Sequence, residues 1–105
     1  MFTLHIEHSV TTFDAWRAAF DRFAPMRLEA GVRSHHISRP LDDAECVFID
    51  LDFDSADAAE KFLAFLRTQV WASPQNAPAL VGAPHTKILE LVEQSSARAV
   101  GAPVE

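Results

Sequence analysis

Residues 2–9 alternate between faces: Phe2, Leu4, Ile6 and His8 on one, Thr3, His5 and Glu7 on the other. That period of two predicts a β-strand. The pattern then changes. Phe13, Trp16, Phe20 and Phe23 recur at i, i+3, i+7 and i+10, a single apolar stripe that predicts an amphipathic helix. Thr11 and Asp14 read as a capping box at its start. Pro25 lacks an N–H and ends or kinks the helix near Ala24. Residues 26–30 add a turn or two before Gly31, which suits a helix C′ position. Residues 32–39 read as a second, less apolar strand, and 40–43 as a turn. Residues 45–53 give the clearest strand, with Val47, Ile49, Leu51 and Phe53 opposite Cys46, Phe48, Asp50 and Asp52. Asp54 or Ser55 caps a second helix, whose apolar face is Ala58, Phe62, Phe65, Leu66 and Val70. Residues 71–84 hold three Pro and one Gly and predict a loop with one short helical turn near 77–81. Residues 85–92 read as the last strand. From 93 onward no periodicity remains, so residues 1–93 are expected to form one domain and 94–105 a flexible tail.

The resulting order, β-α-β-β-α-β, is the ferredoxin-like α+β pattern: a four-stranded antiparallel sheet with two helices on one face. The opposite face carries Cys46, Phe48, Leu89 and Leu91 beside Lys87. Apolar residues on an uncovered sheet call for a partner, and a two-fold homodimer with sheets face to face supplies one. Composition strengthens this expectation. A chain of 105 residues has a thin core, yet 49% of its residues are apolar, more than one helix–sheet layer consumes. Net charge is −6. Arg17, Arg22, Arg27, Arg33 and Arg39 are interleaved with Asp14, Asp21 and Glu29 and read as solvated helix charges. Without a cationic footprint, neither nucleic acid nor an anionic membrane surface is an expected partner. One Cys excludes a disulfide framework. No apolar run approaches the ~18 residues of a membrane span. The first residues lack a basic n-region and a cleavage site, which makes the cytoplasm the expected compartment.

The stretch HSVTTFDAWRAAFDRFAPMRLEAGV, the hairpin with Arg39 before an Asp-Asp turn, and DFDSADAAEKFLAFL together resemble the antibiotic-biosynthesis-monooxygenase-like proteins of the dimeric α/β-barrel superfamily. The resemblance covers about residues 2–93 and rests on element order and on spaced positions such as His8, Trp16, Gly31 and Arg39. It implies a dimeric α/β barrel. Its members range from cofactor-free oxygenases and polyketide cyclases to haem-degrading enzymes and small-molecule binders, so fold transfers further than function. The cofactor-free oxygenases of the family use a pocket in which Trp, Asn, Tyr and Arg recur; this chain has no Tyr.

Candidate chemistry gathers on the helix-facing side. His8 closes the first strand there, and His35 shares a side with Ile37. Trp16 from the first helix and Trp71 from the loop complete a flat apolar pocket with two imidazoles, suited to a planar aromatic ligand. A neutral imidazole can remove a phenolic or α-carbonyl proton, the first step of cofactor-free oxygenation or aldol cyclisation. His8 and His35 are thus the candidate catalytic residues; Trp16, Trp71 and Arg39 are the candidate substrate-binding residues. The competing reading makes Trp16 helix core, His8 and His35 strand ends, and Arg39 a partner of Asp42 or Asp43. His5, Glu7, His36 and Asp50 fall on the opposite face, where hydrogen-bonded pairing is favoured over a metal site. Cys46 reads as a small, inert strand residue. The leading expectation is a monooxygenase- or cyclase-like enzyme acting on an aromatic or polyketide-like molecule with no cofactor or metal. The alternatives are a non-catalytic binding or assembly module and a haem or metal binder.

Overall fold

A computed structural model of the chain describes residues 1–96. Strand β1 (Phe2–Val10) leads into helix α1 (Phe13–Arg22) and the short helix α2 (Ala24–Glu29). Strands β2 (Ser34–Ser38) and β3 (Cys46–Phe53) form a hairpin; helix α3 (Ala56–Phe65) and strand β4 (Leu80–Glu90) follow. The strands order β2-β3-β1-β4 and every neighbouring pair is antiparallel. This is the ferredoxin-like α+β topology expected from the sequence.

The alternation along β1 and β3 becomes the two faces of the sheet. Ile6 pairs with Ile49 and Leu4 with Leu51, and these side chains sit beneath the helices with Val47 and Phe53. Leu4, Val47, Leu51 and Phe53 are sealed completely; burying each contributes roughly 1.5–3 kcal/mol. Trp16 from α1 and Ala59, Phe62 and Leu63 from α3 close the core from above.

Local signals account for the helix ends. Thr12, not Thr11, caps α1: its Oγ1 accepts from the Ala15 amide at 3.1 Å. Thr11 is held on the sheet side instead, its amide donating to the Ala79 carbonyl at 2.8 Å. Pro25 sits in the first turn of α2, where its missing N–H costs nothing. Gly31 adopts φ +95°. Its amide donates to Leu28 and that of Val32 to Arg27, the paired bonds of a Schellman ending. Ser55 caps α3 through Ala58 at 3.1 Å, while Asp54 pairs with Arg33 at 2.6 Å.

Two segments differ from the sequence expectation. Helix α3 does not run on to Val70 as a regular α-helix; Leu66–Val70 is a π-turn, closed by the Trp71 amide donating to the Leu66 carbonyl at 2.7 Å. The last strand starts at Leu80, so residues 80–84 are strand rather than loop. Val10 pairs with Leu80 and Ser9 with Val81, and the ladder shifts register between Glu7 and Ser9. Gly82 at φ +73° and Pro84 are tolerated because β4 is an edge strand with an irregularity. Most of the expected tail, residues 97–105, lies outside the described residues. Among the described residues no helix is long and apolar enough to cross a membrane.

Candidate functional site

Between the sheet and the helices lies a cavity of about 80 Å³. That exceeds what one water needs and is about half the ~150 Å³ of an engineered apolar cavity that takes benzene. Its floor is Ile6, His8, Ile49 and Leu51; Trp16, Phe20 and Phe62 wall it, and Trp71, Asn76, Ala77, Ala79 and Leu80 complete the lining. Asn76 is fastened there, its Nδ2 donating to the Gln69 carbonyl at 2.7 Å. Phe23, Asn76 and Leu80 are half-buried and Met26 is 38% exposed, which marks the open side of the cavity.

His8 is the polar group of the floor. Strand parity points it inward between Ile6 and Val10, and the side chain is 7% exposed. The two indoles flank it, with ring centroids 6.1 Å away for Trp16 and 6.5 Å for Trp71. Its Nδ1 is sealed and has no hydrogen-bond partner. Burial lowers its pKa from 6.5 to about 4, because a charged imidazole would lose its hydration without gaining a carboxylate. The ring is therefore neutral at physiological pH, with an acceptor or donor to spare. Such an orphaned polar atom is rare in a folded interior.

Arg27 adds a second polar group to the wall. Its interleaving with acids predicts a solvated helix charge; the structure instead buries it, 8% exposed. Its Cζ lies 3.5 Å above the Phe20 ring centroid, and Nη1 donates to the Phe20 carbonyl at 2.6 Å. The signal was present in the spacing. Position 27 follows Phe23 by four and extends the stripe of Phe13, Trp16, Phe20 and Phe23, which the long arginine stem can join while keeping its head polar.

No protein-family model and no curated protein matches the sequence, but solved structures do. A dimeric ferredoxin-like protein from an uncultured marine organism superposes with a TM-score of 0.66 at 15% identity, over 90% of this chain and 97% of that one. SnoaB from Streptomyces nogalater, a cofactor-independent oxygenase, gives 0.63 at 16% identity, over 89% and 94%. A candidate antibiotic biosynthesis monooxygenase from Bordetella bronchiseptica gives 0.65 at 13% identity, over 88% and 98%. The chain has the fold of the antibiotic-biosynthesis-monooxygenase-like proteins. At these identities the likeness concerns the fold; the chemistry rests on the residues themselves.

Within this fold the residues singled out from sequence separate into two groups. His8, Trp16 and Trp71 meet at the cavity. His35 does face the helix side, opposite Leu51, but β2 is an edge strand. His35 stays exposed, its ring 5.4 Å edge-on from that of Phe20, and burial with the nearby Arg27 and Arg17 charges lowers its pKa; it does not line the cavity. Arg39 is exposed and lies over Phe13, Cζ 4.5 Å from the ring centroid; it pairs with neither Asp42 nor Asp43.

On the open sheet face His5, Glu7 and Asp50 form the expected pairing, which His36 does not join. His5 Nδ1 lies 2.5 Å from Asp50 and Nε2 2.9 Å from Glu7, so both nitrogens donate and the hydrogen bonds, Asp50's first, raise its pKa. Asp52 accepts from Thr3 at 2.6 Å and Ser34 at 2.7 Å. Among the described residues no His, Cys, Asp and Glu cluster of three or more is set to hold a metal. The Cys46 thiol is pushed up by burial and by the Asp43 and Glu7 charges, which disfavours the nucleophilic thiolate.

Proposed function

We propose that the protein is a cofactor-independent oxygenase- or cyclase-like enzyme that takes a planar aromatic or polyketide-like molecule into the cavity beneath α1, with His8 as the proton acceptor. One observation carries this reading: a neutral, buried imidazole on the floor of a cavity flanked by two indoles. Trp16 and Trp71 supply flat apolar surface for a ring. His8 accepts the proton of a phenol, or of a carbon beside a carbonyl. The anion formed reduces dioxygen itself: a CH2 becomes C=O with one oxygen atom, and the other leaves as water. In a cyclase the same anion attacks a carbonyl of its own chain.

Burial that keeps His8 neutral also makes it a weak base. Toward a phenol of pKa ~10, a base of pKa about 4 faces roughly 8 kcal/mol uphill. Formation of an adjacent substrate anion offsets much of this, since opposite charges in a dry site raise the imidazole pKa. Because the cavity of about 80 Å³ is about half of one that takes benzene, even a single ring requires Phe23, Met26 or Leu80 to swing outward. The proposal includes a homodimer through the open sheet face, where Phe48, Leu89 and Leu91 lie; two solved structures of the same fold are described as dimeric.

The test is aerobic turnover of an anthrone to its quinone, followed by absorbance. The native protein is expected to exceed the uncatalysed rate, and His8→Leu to lose about 10²–10⁴-fold. Equal rates in the two proteins, with both folded, would overturn the role of His8.

A further inference from the structure

Arg27 is the one cationic side chain that the fold buries among the described residues. It makes no ion pair there: the described salt bridges involve His5, Arg17, Arg33 and Lys61. A guanidinium has five N–H donors, and Nη1 gives one to the Phe20 carbonyl. Phe20 also carries the group over its ring, Cζ 3.5 Å from the centroid, so the guanidinium is tied to Phe20 at two points. The sealed, partnerless side-chain atom among the described residues is His8 Nδ1; the remaining Arg27 nitrogens are therefore not sealed, and Arg27 is part of the cavity wall. Burial without a counter-ion is costly, and an arginine cannot escape by losing its proton. The nearby carboxylate, Asp21, acts on it only through space and is engaged by Arg17 at 3.2 Å, so a cation at the wall of this largely apolar cavity has no direct anionic partner.

We propose that Arg27 is the anion-binding residue of this cavity, and that its ligand is an aromatic molecule whose ring bears an ionised oxygen — a carboxylate, phenolate or enolate. The ring lies among Trp16, Phe20 and Trp71, and the oxygen receives the free guanidinium donors. This rests on the reading that the cavity takes an aromatic ligand and narrows its class. A neutral carbonyl would accept a hydrogen bond but leave the buried charge uncompensated, whereas a charge-assisted bond supplies both.

Two pairs of single-ring probes separate the ideas: benzoate against benzamide, and para-nitrophenolate against nitrobenzene. Binding is read from shifts of the Trp16 and Trp71 indole N–H signals in NMR titrations of the native protein. At least one anion is expected to bind about tenfold or more tighter than its neutral partner; which pair shows the larger ratio tells carboxylate from phenolate. Arg27→Met is expected to erase the preference, bringing the anion and its neutral partner to equal affinity, and Arg27→Lys to keep part of it. Equal binding of anion and neutral partner in both pairs overturns the anion role and leaves the aromatic cavity standing. Absence of binding by all four probes overturns both. Should Arg27→Met fail to fold, the native comparison and Arg27→Lys still decide.

Discussion

The buried state of His8 has a consequence for stability that is measured without any substrate. In the unfolded chain its imidazole titrates near 6.5; in the fold burial holds it at about 4. Between these values the unfolded chain binds the extra proton, so stability rises with pH across that window and is complete above about 6.5. Falling pH removes it. With pKa values of about 6.5 and about 4, the loss between pH 7 and pH 5 is about 2 kcal/mol. The perturbation is His8→Leu, which keeps an apolar side chain of similar bulk and removes the titrating group. The assay is urea unfolding at the two pH values, with protein concentration fixed because oligomerisation shifts apparent stability. The raised pKa of His5 acts in the opposite sense, contributing stability lost as pH rises through its folded value, but it is common to both proteins and cancels. The native protein is expected to lose about 2 kcal/mol more than His8→Leu on going to pH 5. Parallel losses would mean that His8 titrates normally, and the neutral-imidazole account of the cavity would fall with it.

Gly31→Ala tests the helix ending: φ is +95° and an added Cβ meets nothing within 4 Å, so the cost is backbone alone, about 1–2 kcal/mol, read as a drop of several degrees in Tm. An unchanged Tm would contradict it. Phe48→Glu on the open sheet face is expected to halve the mass seen by light scattering; a surviving dimer would place the proposed interface elsewhere.

Much of the fold was legible because β1 and β3 state their burial in alternate residues, and because Gly31 and Ser55 sit where helix ends need them. What was hidden depended on distant partners. Residues 80–84 carry Gly82 and Pro84, which locally argue for a loop; pairing of Leu80 and Val81 with Val10 and Ser9 overrides that preference. Thr11 and Thr12 are equivalent caps until the Ala79 carbonyl claims the Thr11 amide. In the site, parity alone brought His8 to the cavity. The same parity points His35 to the correct side, but parity does not say how deeply a side chain on an edge strand is covered. Arg27 was obscured because charge outweighs spacing when a sequence is read one residue at a time.

The π-turn at Leu66–Val70 adds one residue to a helical path. Its closing bond joins the Trp71 amide to the Leu66 carbonyl five residues back; with one residue deleted inside the turn, the same bond becomes an ordinary α-helical one, four residues back. Trp71 therefore keeps its place beside His8, and everything after it keeps its register. The turn is a point at which the chain gains or loses one residue without disturbing the cavity. Exchange of the aromatic wall thus falls to substitution at position 71 and not to a change of length before it.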